Sequence, residues 1–302
     1  MTPTVPRIIC LGMSSLDAIF RVPVIPATPT KVLAMGFSEC GGGMAANASV
    51  AIARLGAEAH YWGRVGDDAL GIRILQALAD EGVNIEAVRR VPGCVSSSAA
   101  ILVDDNGERL VCAYNDPKLD PDPSWLPLAQ VARWGAVLAD VRWPEGAAVL
   151  LDAARQSEIP AVFDGDVGPP AVLVDLARRA THAIFSEPGL THATGSLAPG
   201  EGLIRLARSV AGIVGVTLGA EGFLWREGKH EQLVPAPKVV AIDTLAAGDV
   251  WHGAFTLALA EQLDVAAAAR FANAAAAIKC TRAGGRLGAP NRREVEALLN
   301  AG

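Results

Sequence analysis

Val239-Val240-Ala241-Ile242-Asp243-Thr244-Leu245-Ala246-Ala247-Gly248-Asp249-Val250-Trp251-His252-Gly253-Ala254-Phe255 is the stretch whose reading decides the fold. A β-branched run ends at Asp243, a turn of small residues follows, and a helical pattern resumes at Val250 with Phe255, Leu257 and Leu259. The first amides of a helix have no intrahelical partner, and the macrodipole adds positive potential there. Ala246, Ala247 and Gly248 leave those amides uncovered, which suits an anion cradle. Asp249 stands at its mouth, where a carboxylate is expected to be ionised at neutral pH and free to take a proton from a hydroxyl. An anion hole beside a base is the equipment of phosphoryl transfer to an alcohol. The same residues also fit a plain helix cap, with a small-residue turn that serves packing.

Upstream, apolar runs at 136–138, 161–163, 183–185 and 213–216 alternate with helical segments. Such alternation predicts a parallel sheet with right-handed crossovers. The runs end at Asp140 and Arg142, Asp164 and Asp166, Ser186 and Glu187, and Thr217. Ligands of open sheets bind beyond the carboxyl ends of the strands, so these ends point to one crevice shared with Asp243 and Asp249. Any one of them also fits a helix cap.

Closer to the start, 7–11 reads as a strand followed by Gly12, Ser14, Ser15 and Asp17, and 19–29 as edge strand and loop. Residues 31–37 read as another short strand. Gly41-Gly42-Gly43-Met44-Ala45-Ala46-Asn47 then opens a helix that runs to about Leu55. Its glycines let backbone approach a ligand, and Asn47 can donate and accept one turn in. Residues 98–103 and 109–114 flank Asp104-Asp105-Asn106-Gly107, a hairpin signal. Inside an alternating α/β chain that hairpin is an outgrowth or an ordinary antiparallel edge.

Composition narrows the function classes. The chain has 302 residues, 51% hydrophobic and 19% charged, enough for a large core. A net charge of −6 argues against nucleic acid. Five scattered cysteines, Cys10, Cys40, Cys94, Cys112 and Cys280, form no Cys-x-x-Cys pair and read as reduced thiols of a cytoplasmic protein. Asp17 interrupts the first apolar run, no basic cluster precedes it, and charges break up the Ala-rich C-terminal third. Neither a signal peptide nor a membrane span is expected.

The opening stretch resembles the Asp-Thr-x-Gly-Ala-Gly-Asp signature of the ribokinase-like (PfkB) sugar kinases, with Ala246 in the first glycine position. Gly42-Gly43 with Asn47 is similar to the family's Gly-Gly-x-x-x-Asn, and Gly63-Arg64-Val65-Gly66-Asp67-Asp68-Ala69-Leu70-Gly71 also matches, in a mainly structural role. The resemblance spans essentially the whole chain. It implies one α/β domain over 1–302: a central, mostly parallel, doubly wound sheet flanked by helices, with a small β-sheet lid from about 18–40 and 95–115. It also implies a homodimer through that lid. Asp249 would be the base, with the amides of Ala246, Ala247, Gly248 and Asp249 as anion hole. Asp17, Gly42, Gly43 and Asn47 would hold the sugar.

On the nucleotide side, Val216-Thr217-Leu218-Gly219-Ala220-Glu221-Gly222 resembles the family's ATP loop, which implicates Thr217, Gly219 and Gly222. Asn273 falls on the helix that borders adenine. Residues 282–290 match a closing loop, including Gly285, where carbonyls can hold a monovalent cation such as K⁺. ATP and Mg²⁺ are the implied cofactors. One departure stands out: the family's Asn-x-x-Glu is Ser186-Glu187-Pro188-Gly189 here, so Glu187 is a displaced metal candidate. No Walker A sequence and no Gly-x-Gly-x-x-Gly after the first strand is present, which removes support from P-loop and dinucleotide folds.

Several segments are similar to the sulfofructose kinase branch: Leu138-Ala139-Asp140-Val141-Arg142-Trp143, Asp164-Gly165-Asp166, Phe185-Ser186-Glu187-Pro188-Gly189-Leu190 and Lys279-Cys280-Thr281-Arg282. That branch implies an anionic ketohexose such as 6-deoxy-6-sulfofructose, with Lys31 and Arg142 as anion partners. Ala113 departs from it, standing where a polar lid residue is expected. Lys31 as a solvated lysine and Arg142 in an ion pair with Asp140 are the plainer alternatives. Three functions thus enter: a kinase of an anionic or of a neutral ribose- or fructose-type sugar, a regulator that binds sugar or nucleotide without catalysis, and an oxidoreductase.

Overall fold

The computed structural model describes residues 5–196 and 198–301. Its first half runs β1 (Arg7–Gly12), β2 (Ser15–Arg21), β3 (Gly36–Gly42), α1 (Met44–Arg54), β4 (Glu58–Gly66), α2 (Ala69–Ala79), β5 (Val88–Val91), β6 (Ser98–Val103) and β7 (Arg109–Tyr114). There follow β8 (Ala136–Asp140), α3 (Pro144–Gln156), β9 (Ala161–Gly165), α4 (Pro170–Arg179), β10 (His182–Ser186), α5 (Glu187–Thr194) and α6 (Pro199–Leu206). The chain closes with β11 (Ile213–Thr217), β12 (Phe223–Glu227), β13 (His230–Val234), α7 (Ala247–Ala260), α8 (Val265–Cys280) and α9 (Arg292–Ala301).

Nine strands form one sheet in the order β13-β12-β11-β10-β9-β8-β1-β4-β5. Pairs from β11 to β5 are parallel, and β12 and β13 complete an antiparallel edge. Alternate side chains of one strand serve opposite faces: Ile8 and Cys10 of β1 enter one apolar core, Ile9 and Leu11 the other. The first core packs α1, α2, α7, α8 and α9, and the second packs α3 to α6. Both faces are covered, which is why the strands read as unbroken apolar runs.

From β1 the chain steps through β4 to β5 on one side, and from β8 through β9 and β10 to β11 on the other. The order therefore reverses between β1 and β8, the kind of switch point beside which open sheets bind ligands. Asp140, at the end of β8, fixes that point. One of its carboxylate oxygens accepts the Met13 and Ala45 amides, at 2.8 and 3.1 Å, and the other accepts the Arg142 amide at 2.8 Å.

A second, four-stranded sheet, β3-β2-β6-β7, stands off the first as a lid. β2 pairs antiparallel with β3 and parallel with β6, and β6 pairs antiparallel with β7. Gly107, at φ +82°, closes the β6–β7 turn.

Two β-branched or strand-like stretches stay largely unpaired. Residues 31–35 form no strand, and Lys31 lies exposed in the β2–β3 loop. Residues 239–243 are β-branched yet pair with no strand. Ile242 and Asp243 donate instead to the Cys280 carbonyl at 2.7 and 3.1 Å, leaving Val240 86% exposed. With no neighbouring strand to pair with, β propensity decides little.

Candidate active site

The turn from Asp243 to Asp249 is anchored at its first residue. The Asp243 carboxylate accepts the amide of Leu245 at 2.8 Å and those of Gly284 and Gly285 at 3.1 Å. Burial raises its pKa, but these amides and the Lys279 ammonium outweigh that and hold it below the ordinary carboxylate range. Ala246, which stands at the first glycine position of the signature, adopts a left-handed conformation at φ 63°, which glycine would reach without a Cβ clash. α7 begins immediately after it.

The Ala247 amide donates back to Thr244 at 3.2 Å, so the expected hole loses that donor. The Gly248 and Asp249 amides have no partner among the described residues. At Gly248 a Cβ would meet open space, so this glycine is not a packing requirement but leaves the amides accessible.

Two cavities meet at this turn. One, of about 280 Å³, is lined by Asp17 from the lid, Gly43 and Asn47 at the start of α1, Arg142 and Asp166 at strand ends, and Ala246 and Asp249. Ser98, Ile101 and Val111 roof it, which makes the lid part of the site. The other, of about 520 Å³, is largely apolar and takes in Thr217, Gly219, Gly222, Val239, Trp251 and Asn273. Ala247 and Gly248 line the larger cavity and Ala246 and Asp249 the smaller, so four consecutive residues form the wall between them.

Asp249 accepts from Asn47 Nδ2 at 2.7 Å. Burial, reinforced by the nearby Asp164, pushes its carboxyl up to about 7. The sequence-based expectation of a fully ionised carboxylate is thereby corrected: near pH 7 about half of it carries a proton. A base poised there is well matched to proton transfer near neutral pH. Beneath it, His252 sits 3% exposed, with Nδ1 2.9 Å from the Gly248 carbonyl and Nε2 3.6 Å from Asp164. Burial and neighbouring carboxylates push the Asp164 carboxyl well up.

Asp17, 8% exposed, accepts from Ser15 Oγ at 2.8 Å, and burial raises its pKa. The Asn47 side-chain carbonyl is buried without a partner and can accept from a hydroxyl. Gly43, at φ +91°, lines the cavity with bare backbone, and a Cβ there would run into the Met13 carbonyl. Gly42 lies just outside the lining, within β3.

Arg142 reaches the cavity, but its partner is Asp166 at 3.0 Å, with Val167 O at 2.9 Å, and not Asp140 as its position after that residue suggested. Both side chains of that pair are 35% exposed, so it is worth at most about 1 kcal/mol and can open to a ligand. Lys31 does not line the cavity. Glu187 is exposed on α5 and borders a separate depression with Pro188, His192 and Pro199. Ser186 acts as the cap of α5, accepting from the Gly189 amide at 3.1 Å.

In the larger cavity, Asn273 is held by Trp251 Nε1 at 2.7 Å and by the Val234 and Pro235 carbonyls at 2.9 and 3.1 Å. Gly219 and Gly222 have φ of +54° and +110°. Gly285 lines neither cavity and serves Asp243 instead.

The whole chain has counterparts. It matches the pfkB family carbohydrate kinases over residues 5–292. It belongs to that family. The ribokinase of Bacillus subtilis (strain 168) is 32% identical over 97% of this chain and 100% of its own. The fructokinase of Vibrio alginolyticus is 29% identical, covering 91% and 94%. Among solved structures, a putative ribokinase from Agrobacterium tumefaciens is 40% identical with a TM-score of 0.94, covering 98% of each chain. This protein is a sugar kinase of the PfkB type, a phosphotransferase with the ribokinase fold.

Some residues of this kinase's site were hidden from sequence reading. Asp166 was visible only as a strand end, and its place beside Arg142 needs β8 and β9 to be neighbours. The wall of the larger cavity at 236–239 carries no sequence signal. Lys279 and Arg286, 0% and 2% exposed, are the other surprise, because sequence gives no reason to bury either cation.

Proposed function

We propose that this kinase transfers the γ-phosphoryl group of ATP to a hydroxyl of a small ribose- or fructose-type sugar. The observation that carries the reading is the four-residue wall: Gly248, with its free amide, lines one cavity, and Asp249, with a carboxyl of pKa about 7, lines the other. The sugar occupies the smaller cavity against Asp17, Gly43 and Asn47. The nucleotide occupies the larger one, with Thr217, Gly219 and Gly222 near its phosphates and Asn273 and Trp251 toward its base. Asp249 takes the hydroxyl proton as the oxygen attacks, and Asn47 holds the carboxylate in place for it. The Gly248 and Asp249 amides, at the positive end of α7, stabilise the charge on the transferring phosphoryl group. Closure of the lid excludes water.

Mg²⁺ supplies charge neutralisation on the phosphates. Among the described residues no three His, Cys, Asp or Glu side chains converge on one point, so an ion bound here would be held with the nucleotide phosphates. The raised pKa values of Asp164 and Asp249 fit a site whose negative charge awaits a cation.

Arg142 favours a second reading, an anionic ketohexose such as 6-deoxy-6-sulfofructose, in which the sulfonate displaces Asp166 from the guanidinium. Lys31 lends it no support from its loop. We further assign the enzyme to the cytoplasm, consistent with its five free cysteines and with no described helix long and apolar enough to cross a membrane. A homodimer through the lid fits the exposed Met35, Phe37, Leu110 and Tyr114.

The test is ATP consumption over ribose, fructose, a phosphorylated and a sulfonated ketohexose. Turnover with none of them, by a protein that still binds ATP, would favour a regulator and overturn the catalytic reading.

A further inference from the structure

The closing loop was expected to hold a monovalent cation, and a side-chain cation already sits against the residue that this loop grips. Lys279, the penultimate residue of α8, is wholly buried. Its ammonium donates to the Asp243 carbonyl at 2.6 Å and lies 3.2 Å from the Asp243 carboxylate. That carboxylate also accepts three amides, and the nearby Cys280 carbonyl accepts two more. The Arg286 guanidinium of the same loop, 2% exposed, lies instead against Gly41 of the lid. A buried ammonium is costly unless it is paired, and here it is paired with the residue from which the phosphate-facing turn starts.

We propose that the Lys279 ammonium stands where a monovalent cation would otherwise bind, so that this kinase carries its own activating cation and needs no K⁺. A free ion at Asp243 would meet a buried ammonium already in contact with both the carbonyl and the carboxylate of that residue. The tethered charge does an ion's two jobs. It cancels the Asp243 carboxylate, which would repel an incoming phosphate, and it ties the end of α8 and the closing loop to the turn that carries the Gly248 and Asp249 amides.

The activity arm of the test rests on the kinase reading, whereas the binding and melting arms do not. The full-length wild-type protein should show turnover unchanged within twofold when KCl is replaced by tetramethylammonium chloride at constant ionic strength. Its Tm should be the same in both salts, and ²⁰⁵Tl⁺ NMR should show no specific Tl⁺ site. In Lys279→Met the ammonium is gone and the oxygens are freed. Turnover without K⁺ should fall at least tenfold and recover at least fivefold in millimolar K⁺. The variant's Tm should rise by several degrees in K⁺, and a Tl⁺ site should appear. Stimulation of the wild type by K⁺ beyond threefold, or a Tl⁺ site in it, would overturn the proposal whether or not the variant folds. So would a folded Lys279→Met protein that is indifferent to K⁺ in both melting and Tl⁺ binding.

Discussion

Asp249 is held in a place where its charge is disfavoured, and replacing it with Asn converts that cost into a measurable gain of stability. Its carboxyl is pushed from 3.8 in the unfolded chain up to about 7 in the fold. A group whose pKa is raised by folding stabilises fully below its unfolded value, and the contribution is lost as pH rises through the folded value. The shift of about three units corresponds to about 4 kcal/mol at pH 8. Partial solvent access and coupling to Asp164 reduce that to about 2 kcal/mol. Asn keeps the shape and the hydrogen-bonding with Asn47 but never ionises. In the absence of ligands, Asp249→Asn should therefore melt about 3 °C above wild type at pH 8. The advantage should shrink as pH falls from 7 and vanish only below about pH 3.8, where the carboxyl is neutral in the folded and the unfolded chain alike. Thermal denaturation followed by circular dichroism at pH 4.5, 6 and 8 reads this directly. Turnover should meanwhile fall by about two to four orders of magnitude, the usual contribution of a general base. In wild type, kcat/KM should rise about tenfold from pH 6 to pH 8 as the carboxyl loses its proton. A variant no more stable than wild type at pH 8, or equally stabilised at every pH, would refute a buried, uncompensated charge at Asp249.

Three further perturbations follow from the same geometry. Arg142→Met should raise KM for a sulfonated or phosphorylated ketohexose about ten- to hundredfold and leave a neutral sugar nearly unaffected, since one charge-assisted contact is worth about 1.5–3 kcal/mol; equal losses for both sugars would mean that the pair with Asp166 merely shapes the cavity. At position 246, Gly should leave Tm within about 1 °C of wild type, because relief at φ 63° is offset by greater freedom of the unfolded chain. Val there should cost several degrees and most of the turnover, and tolerance of Val would show that the turn is not left-handed in solution. Sugar binding should protect amides of β2, β6 and β7 from hydrogen exchange as the lid closes; protection confined to the larger cavity would remove the lid from the catalytic cycle.

What the sequence by itself determined was everything carried by local pattern. The alternation of apolar runs with helical periods specified a parallel doubly wound sheet, because strands buried on both faces can hardly be written otherwise. The hairpin at 98–103 and 109–114 was legible to the residue through Asn106-Gly107. The small-residue turn at 246–248, before a helix and ahead of Asp249, already read as the anion hole and base that we propose.

Tertiary structure alone decided how those pieces act on one another. Whether 239–243 becomes a strand depended on a neighbouring strand, and the chain offers it the Cys280 carbonyl instead. Arg142 found Asp166, 24 residues on, because β8 and β9 lie side by side. Lys279 reached Asp243 from 36 residues away at the end of another helix. Asp249 acquired its raised pKa from the burial and the Asp164 charge that folding brings to it. Such effects fall outside sequence reading for one physical reason: dielectric environment and electrostatic partners are properties of what packs around a group, and here those neighbours arrive from distant parts of the chain.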